Sequence, residues 1–274
     1  MNATTIADYR ILRSLGEGLV GESFVAEDPQ SQAERVIKVL AKPIHRNPSA
    51  RIRFVRAAEE AASLAHPHIR RVFQVGKERA RTFVACEFVK GKSLKEKLEE
   101  GALPLEQALE IATQIGEALS LAHRQGIIHQ NLKPSNVILS EEGVKVTDFG
   151  LTKGIPVLDY VNIGQEKESF ALLTMAYMSP EQLRVHHLDA RSDVFCLGVM
   201  LYEMITGENP FRQSSFTETV EAVLERPLPQ LSQYVGEPPP ALQILVSRSV
   251  AKDLGERYPS VDELRAEMAA IDAG

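Results

Sequence analysis

The sequence predicts an α+β fold, in which a small, antiparallel β-rich lobe with one helix precedes a larger, mainly helical lobe. Short runs of β-branched and apolar residues between turn residues fill most of the first third of the chain, which is typical of strands. Beyond Gly91, long stretches of helical composition follow one another. The net charge changes at the same place, from +4 over residues 1–88 (14 Lys and Arg, 10 Asp and Glu) to −10 over residues 89–274. We therefore expect an N-lobe over 1–88 and a C-lobe over 89–274, which together form one domain with a hinge near 87–91.

Each element of this fold has its own local signal. In the N-lobe, the patterns predict strands over 9–40, 72–75 and 82–88 and a helix over 49–65. Pro67 lies just past that helix, which it cannot continue because it lacks an N–H group. In the C-lobe, the patterns predict helices at 93–99, 104–125, 191–206, 216–225, 240–252 and 260–271. Two short apolar runs on either side of Glu142-Gly143 predict a hairpin within 136–147.

Composition and charge limit the classes of function. With 274 residues, 44% of them hydrophobic and 25% charged, the chain has the make-up of a soluble globular protein. A net charge of −6 argues against nucleic-acid binding, which needs a concentrated basic surface. No apolar run approaches the roughly 18 residues of a membrane span. Residues 1–10 contain no basic region followed by an apolar one, so we expect no signal peptide. Because Cys86 and Cys196 are the only cysteines, we expect a cytoplasmic protein, or the cytosolic domain of a larger membrane protein.

A glycine-rich motif lies in the first predicted hairpin, where GEGLVG at 16–21 matches G-x-G-x-x-G. Taken alone, this pattern also fits an ordinary glycine-rich hairpin. In a dinucleotide-binding fold a helix follows the glycines, whereas here a strand follows, and Lys38 comes 17 residues after Gly21. Glycines at Gly16, Gly18 and Gly21 would let backbone N–H groups approach phosphate oxygens closely.

Several further motifs follow along the chain. They are RVIK at 35–38, LAHPHI at 64–69, HQNLKPSN at 129–136, DFG at 148–150, YMSPE at 177–181, DVFCLG at 193–198 and Arg257. In order and spacing these motifs resemble those of protein kinases over about residues 9–268, most closely the bacterial serine/threonine kinases of eukaryotic type. The resemblance implies a bilobal protein kinase-like fold with a nucleotide cleft.

The resemblance also implies ATP and Mg²⁺ as cofactors. Lys38 corresponds to the lysine that steadies the α- and β-phosphates, and Lys133 to one that contacts the γ-phosphate. Asn136 and Asp148 correspond to the two magnesium ligands of the family, and both supply hard oxygen atoms. The nucleotide-binding residues implied in this way are Gly16, Gly18, Gly21, Val36, Lys38, Cys86, Glu87, Val89, Asn136 and Asp148.

The catalytic loop departs from the kinase pattern at two positions. Asn131 stands where the family has the Asp that accepts the substrate proton, and an amide cannot act as a base near pH 7. Gln130 stands where regulated kinases have the Arg that clamps a phosphorylated activation loop.

A third departure concerns the partner of Lys38. The family has a Glu in the N-lobe helix at this point, where the chain has Ala57. Glu60, one helical turn further on, is an alternative partner if the helix shifts by about 5 Å. Without an acidic partner from the helix, we expect Lys38 to pair with Asp148 or with a bound phosphate.

Residues around the expected adenine pocket differ as well. Ser23 and Val36 stand where the family has Val and Ala. We expect both to weaken nucleotide binding. Ser23 removes an apolar contact with the adenine ring, and Val36 is larger than alanine and would overfill a tight pocket, which costs about 1–3 kcal/mol. Cys86 occupies the gatekeeper position, where we expect a small buried hydrophobe.

The departures favour a function without turnover. Loss of a general base typically slows a reaction by about 10²–10⁴-fold, and loss of the Lys–Glu pair adds a positioning defect. We therefore expect that the chain is not an enzyme but a pseudokinase, a scaffold or allosteric regulator that binds ATP and Mg²⁺ weakly. One alternative is a slow serine/threonine kinase in which Asn131 positions the substrate hydroxyl, because phosphoryl transfer depends mainly on positioning. The other is an interaction module with an empty nucleotide cleft.

Other matched residues are expected to support the C-lobe. Glu181 and Arg257 should form a buried ion pair, Asp193 should brace the backbone of the catalytic loop, and Thr174 should lie near Lys133.

The sequence does not identify a protein partner. A homo-oligomer and a partner kinase both remain open, and no nucleic acid or membrane insertion is expected. A basic cluster at Arg46, Arg51, Arg53 and Arg56 is either a solvated helix face or a docking surface for an acidic partner.

Overall fold

The N-lobe is built on an antiparallel sheet. The computed structural model describes residues 5–18, 21–78, 81–151 and 168–272. Within them, the strands of this sheet are β1 (Thr5–Ile6), β2 (Tyr9–Glu17), β3 (Gly21–Glu27), β4 (Glu34–Leu40), β5 (Val72–Glu78) and β6 (Arg81–Glu87). Their order in the sheet is β1-β2-β3-β4-β6-β5, and each neighbouring pair is antiparallel. The glycine-rich turn joins β2 to β3, and Lys38 on β4 lies opposite Ser23 on β3.

Two helices follow β4, namely α1 (Lys42–Arg46) and α2 (Pro48–Ala62). Pro48 starts α2, where the N–H that proline lacks would have no helical partner. The side chain of Asn47 caps the helix by accepting a hydrogen bond from the Ala50 N–H at 3.1 Å. The buried face of α2 is formed by Phe54, Ala57, Ala58 and Ala61. The small side chains on this face allow α2 to approach the sheet and the segment that begins at Asp148.

The C-lobe is mainly helical. Its helices are α3 (Leu94–Leu98), α4 (Leu105–Arg124), α5 (Glu168–Met175), α6 (Pro180–Leu183), α7 (Arg191–Thr206), α8 (Phe216–Glu225), α9 (Pro240–Ser249) and α10 (Val261–Asp272). Helix α7 is buried without interruption from Ser192 to Ile205, as expected for the central helix of a core. It ends at Gly207, whose φ of +78° suits a residue without a Cβ atom.

A small sheet of β7 (Lys92–Ser93), β8 (Val137–Ser140) and β9 (Gly143–Val146) lies at the start of the C-lobe. Strands β8 and β9 form the hairpin predicted around Gly143. A 3₁₀ turn over Pro134–Asn136 leads into β8. Since β9 runs directly into Asp148, this sheet places the two predicted metal ligands at its end.

A buried ion pair holds part of the C-lobe together. Arg257 Nη1 lies 2.8 Å from Glu181 Oε1, and the side chains are 0% and 5% exposed. Arg257 also donates to the carbonyls of Ala251 and Arg191, and Ser192 Oγ donates to Glu181. Both charges are therefore fully hydrogen-bonded, as burial requires. The predicted pairing of Glu181 with Arg257 is confirmed.

The α+β fold class is confirmed, and the structure adds elements that the patterns did not predict. These are β1, β7, α1, α5 and α6, which are two to eight residues long. Strand β6 ends at Glu87, and the division into lobes at residue 88 stays a prediction. Within the described residues, no helix is both long enough and apolar enough to cross a membrane.

Candidate functional site

A pocket of about 260 Å³ lies between the glycine-rich turn and the loop that follows α4. Eight residues that the sequence analysis singled out line it, namely Gly16, Gly18, Gly21, Lys38, Asn131, Lys133, Asn136 and Asp148. Ser23 also lines this pocket. The structure thus brings the expected phosphate-side residues, which are up to 132 positions apart in sequence (16 to 148), into one cavity.

The turn between β2 and β3 has room only for glycine at one position. A Cβ atom on Gly21 would lie 1.9 Å from Val39 O and 2.7 Å from Ala41 N, and the φ of Gly21 is +149°. The Gly18 N–H donates to Gly21 O at 2.8 Å, which closes the turn. Leu19 and Val20, the remaining residues of the motif, lie outside the described residues.

Asp148 is held by two cations. Lys38 Nζ bonds to Asp148 Oδ2, as expected for a lysine without an acidic partner on the helix. Arg70 Nη2 bonds to the other oxygen, Oδ1, at 2.6 Å. The Asp148 side chain is 10% exposed and that of Arg70 6%. No motif covered Arg70, and because Arg71 follows it directly before the strand, no signal in the sequence showed which of the two arginines is buried.

The two cations determine the charge state of Asp148. Burial acts to raise the pKa of this carboxyl, but Lys38 and Arg70 outweigh it and lower the pKa to about 2. Asp148 is therefore a carboxylate at neutral pH and can serve as a metal ligand. Its φ of +69° lies in the left-handed region, which is uncommon outside glycine and is found at constrained sites.

A side chain of helix α7 fixes the backbone of the catalytic-type loop by hydrogen bonds. Asp193 accepts hydrogen bonds from the backbone N–H groups of His129, at 2.8 Å, and Gln130, at 3.1 Å. The ring of His129 is buried, bonds to Thr147 O at 2.9 Å and lies 4.6 Å from the ring of Phe149. Burial lowers the pKa of His129. The predicted brace by Asp193 is confirmed.

Two amides face the pocket from this loop. Asn136 Nδ2 donates to the backbone oxygen of Asn131 at 2.8 Å, which leaves Asn136 Oδ1 without a hydrogen-bond partner among the described residues. The side-chain amide of Asn131 also has no hydrogen-bond partner in that part of the chain. Asn136 thus offers an oxygen ligand, and Asn131 offers both a donor and an acceptor to a substrate.

Lys133 is a buried cation near the carboxylate. Its Nζ donates to Thr174 Oγ1 at 2.8 Å, as the resemblance implied. Burial lowers the pKa of Lys133 to about 8, with Lys38 and Lys95 acting in the same direction and Asp148 against it. At pH 7 the ammonium is still mostly protonated and can bind a phosphate oxygen.

The structure brings no acidic residue of α2 to Lys38. Ala57 is 2% exposed, and its Cβ lies 3.7 Å from the position that a Cβ on Gly150 would take. The Glu60 side chain is exposed, and the ion pair of Lys38 is with Asp148. The alternative in which Glu60 replaces the missing acid is therefore not the arrangement in this structure.

Four predicted nucleotide-binding residues lie outside the wall of this pocket. Val36 and Cys86 face each other on β4 and β6 within a buried apolar cluster, and burial raises the pKa of the Cys86 thiol. Glu87 accepts the Arg71 N–H at 3.1 Å, and Val89 is partly buried. Their role toward adenine stays a prediction. Cys86 is the small buried hydrophobe that the sequence suggested.

The residues present fit ATP and Mg²⁺. Asp148 and Asn136 supply two hard oxygens, and Mg²⁺ commonly takes one or two protein ligands and completes its shell with phosphate and water. In the described part of the chain, no group of three or more His, Cys, Asp or Glu could hold a metal alone. Lys38 and Lys133, which both line the pocket, supply the positive charge that phosphate oxygens need.

Comparisons with known proteins identify the family of the chain. The protein kinase domain model matches residues 9–266. The probable serine/threonine-protein kinase PknB of Lactococcus lactis is 35% identical over 264 residues, which are 95% of this chain and 41% of the relative. The serine/threonine-protein kinase PknJ of Mycobacterium tuberculosis is 33% identical over 99% of this chain and 46% of its own length. The chain thus spans less than half the length of these curated relatives.

These findings correct one expectation. The prediction that the chain is not an enzyme is wrong, because it matches a protein kinase domain and its relatives are named serine/threonine-protein kinases. Among solved structures, a crystal structure of the PknI kinase domain of M. tuberculosis is similar with a TM-score of 0.77 and 25% identity, over 98% of this chain and 98% of the other. The kinase fold is confirmed, and the chain belongs to the protein kinase domain family, among the bacterial serine/threonine kinases of eukaryotic type.

Proposed function

We propose that this chain is a serine/threonine protein kinase domain that transfers the γ-phosphoryl group of ATP to a protein hydroxyl, with Asn131 orienting that hydroxyl. The observation that supports it is the single pocket in which Lys38, Lys133, Asn136 and Asp148 surround Asn131. Two buried, free cysteines and the use of ATP fit a cytosolic setting.

Phosphate binding would come from both walls of the pocket. The ammonium of Lys38 lies on the sheet side, and that of Lys133 lies on the loop side. Asn136 and Asp148 would hold Mg²⁺, whose charge would neutralise the phosphate oxygens. Lys133, still mostly protonated at pH 7 with its pKa at about 8, would stay close to the phosphoryl group during transfer.

Transfer itself would depend on the position of the hydroxyl. As the hydroxyl oxygen bonds to the γ-phosphorus, the bond from phosphorus to the bridging oxygen breaks and ADP leaves. The transition state is loose, so the hydroxyl proton departs late and can pass to a phosphoryl oxygen. Asn131 accepts or donates a hydrogen bond but takes no proton. Because a general base typically contributes about 10²–10⁴-fold, this domain should be a slow kinase.

Phosphate incorporation tests the proposed function. The purified chain is incubated with Mg²⁺-ATP and a general substrate protein, and phosphorylated serine and threonine residues are quantified by mass spectrometry. We expect slow incorporation that Lys38→Met abolishes, because the phosphates lose the cation on β4. Lys77→Met is the matched control, since Lys77 is an exposed residue on β5 of the same sheet and does not line the pocket. No incorporation by the folded parent, or equal incorporation by Lys38→Met, would contradict the proposal.

A further inference from the structure

Arg70 lies in a closed space behind the nucleotide pocket. Arg70 lies two residues before the start of β5 at Val72. Its backbone N–H donates to Val146 O at 2.9 Å. The space around it has a volume of about 10 Å³ and is otherwise lined by apolar side chains, Cys86 and Asp148, so it admits at most about one water molecule. Because arginine does not lose its proton in proteins, a permanent positive charge is enclosed here with only 6% of its side chain exposed.

Asp148 is the counter-ion for this enclosed charge. Arg70 Nη2 donates to Asp148 Oδ1 at 2.6 Å, while Lys38 bonds to Oδ2. Among the described residues, neither cation has a second carboxylate within 4.0 Å. The helix offers none, because the residue that faces the start of this segment is Ala57. One carboxylate therefore balances only one of the two positive charges, and neither cation has another acidic residue to move to.

This arrangement affects how a divalent cation binds to Asp148. A divalent cation binds a carboxylate through the same oxygen lone pairs and the same negative charge that the two cations already use. Lys38 and Arg70 repel it and must give up or share their hydrogen bonds to Asp148. The same two charges, however, supply part of the positive potential that a diphosphate needs. We therefore expect weaker metal binding and more favourable nucleotide binding without a metal.

We propose that Arg70 determines the metal dependence of the nucleotide site: it lowers the affinity of Asp148 for Mg²⁺ and allows ADP to bind with little help from a divalent cation. This inference rests on the nucleotide site of the proposed function. Arg70 acts through Asp148 and is a positioning residue, so its effect is on metal affinity and is measurable without phosphoryl transfer.

The parent chain provides the first test. Binding of ADP that carries a fluorescent N-methylanthraniloyl group is measured in EDTA and over a Mg²⁺ titration. We expect binding in EDTA, and we expect saturating Mg²⁺ to raise the affinity by less than about tenfold, the lower end of what groups around a metal ligand control. Binding that strictly requires Mg²⁺ would overturn the proposal.

Variants of Arg70 provide the second test. In Arg70→Leu the Mg²⁺ concentration at the midpoint of the titration should fall by at least about tenfold, while affinity in EDTA should decrease. Arg70→Gln, which can still donate to Asp148 but is uncharged, should change both quantities in the same direction, and it decides the matter if Arg70→Leu does not fold. Arg71→Leu is the matched control, because Arg71 is exposed and lies 5.2 Å from the ring of Phe73; its midpoint should equal that of the parent.

The outcomes separate the two proposals. If folded Arg70→Leu or Arg70→Gln binds ADP with the midpoint of the parent, Arg70 does not set the metal dependence, and the proposed function is unaffected. If the folded parent binds no ADP at any Mg²⁺ concentration, the nucleotide site is absent, and both proposals are overturned. Circular dichroism melting of each variant establishes that it is folded.

Discussion

At the scale of single residues, Asn131 and Asp148 determine what the pocket can do. Asn131 presents an amide with no hydrogen-bond partner among the described residues, beside Lys133 and Asn136. Asp148 is ionised, since Lys38 and Arg70 outweigh burial and lower its pKa to about 2. In the proposed reaction these residues would bind the nucleotide and the hydroxyl, and the group that accepts a proton would be missing.

Restoring that group should raise the rate. In Asn131→Asp a carboxylate with an ordinary pKa of about 4 would be ionised at pH 7 and could accept the hydroxyl proton. We expect phosphate incorporation to become at least about 10²-fold faster than in the parent. Asn131→Ala should be slower than the parent, because alanine can neither orient the hydroxyl nor accept its proton. Initial rates with a common substrate protein measure this, and an Asn131→Asp variant no faster than the parent would contradict the assigned position.

At the scale of elements, the glycine-rich turn shows how close packing restricts sequence. Gly21 starts β3 directly against β4, at a φ of +149° and with no space for a Cβ atom beside Val39 O. Gly18, in the same turn, has only Gly21 O within 4 Å of the Cβ position, at 3.8 Å. Steric contacts therefore require glycine at residue 21, whereas no steric contact requires it at residue 18.

The two glycines should differ in their effect on stability. Gly21→Ala should lower the free energy of unfolding by about 1–3 kcal/mol, because the added methyl group meets backbone atoms and the dihedral angle is unfavourable. Gly18→Ala, as the matched control, should change it by less than about 0.5 kcal/mol. Urea denaturation measures both, and equal values for the two variants would show that the start of β3 relaxes freely.

The elements also show which features of the fold could be predicted from sequence. The hairpin of β8 and β9 and the long helices α4 and α7 were predicted, because composition and turn residues act locally over many positions. Helices of four or five residues, such as α1 and α6, carry too little periodicity to be recognised. Pairing of Lys38 with Asp148 followed from the absence of an acid at residue 57. The contact of Arg70 with Asp148 did not, because no local pattern reports two residues 78 positions apart.

At the scale of the whole molecule, the fold was easier to predict than the function. Motifs spread over most of the chain identified the family, and each motif added independent support. The expectation that the chain is not an enzyme was wrong because the changes at residues 131 and 57 were given more weight than the motifs shared with the family. In a reaction with a loose transition state, positioning accounts for much of the rate, so loss of one base lowers activity without removing it.

A buried lysine links the stability of the molecule to pH. Lys252 Nζ donates to Val223 O at 2.7 Å near the end of α8 and lies 3.7 Å from the ring of Phe211. Burial, with help from Arg257 and against Glu225, lowers the pKa of Lys252 from 10.5 to about 7. Between these two values the unfolded chain holds a proton that the folded chain has released, so the free energy of unfolding rises with pH through this window.

Replacing this lysine should remove that pH dependence. Lys252→Met keeps most of the apolar stem and has no titrating group. We expect the free energy of unfolding of the parent to increase relative to that of Lys252→Met as the pH rises from about 7 toward 10. Urea denaturation at several pH values measures the difference, with Lys90→Met at an exposed position as the control. Parallel curves for the parent and Lys252→Met would mean that Lys252 stays protonated in the folded state.

The hydrogen bonds of Asp193 have a consequence for how this family member can diverge. The main chain at His129 and Gln130 is fixed from another helix, so its course does not depend on which side chain stands at residue 131. A loop whose backbone is held by hydrogen bonds from another element can accept different side chains at residue 131 without rearranging. Exchange of the Asn131 amide for an acid should therefore change the chemistry of this loop and leave its backbone in place.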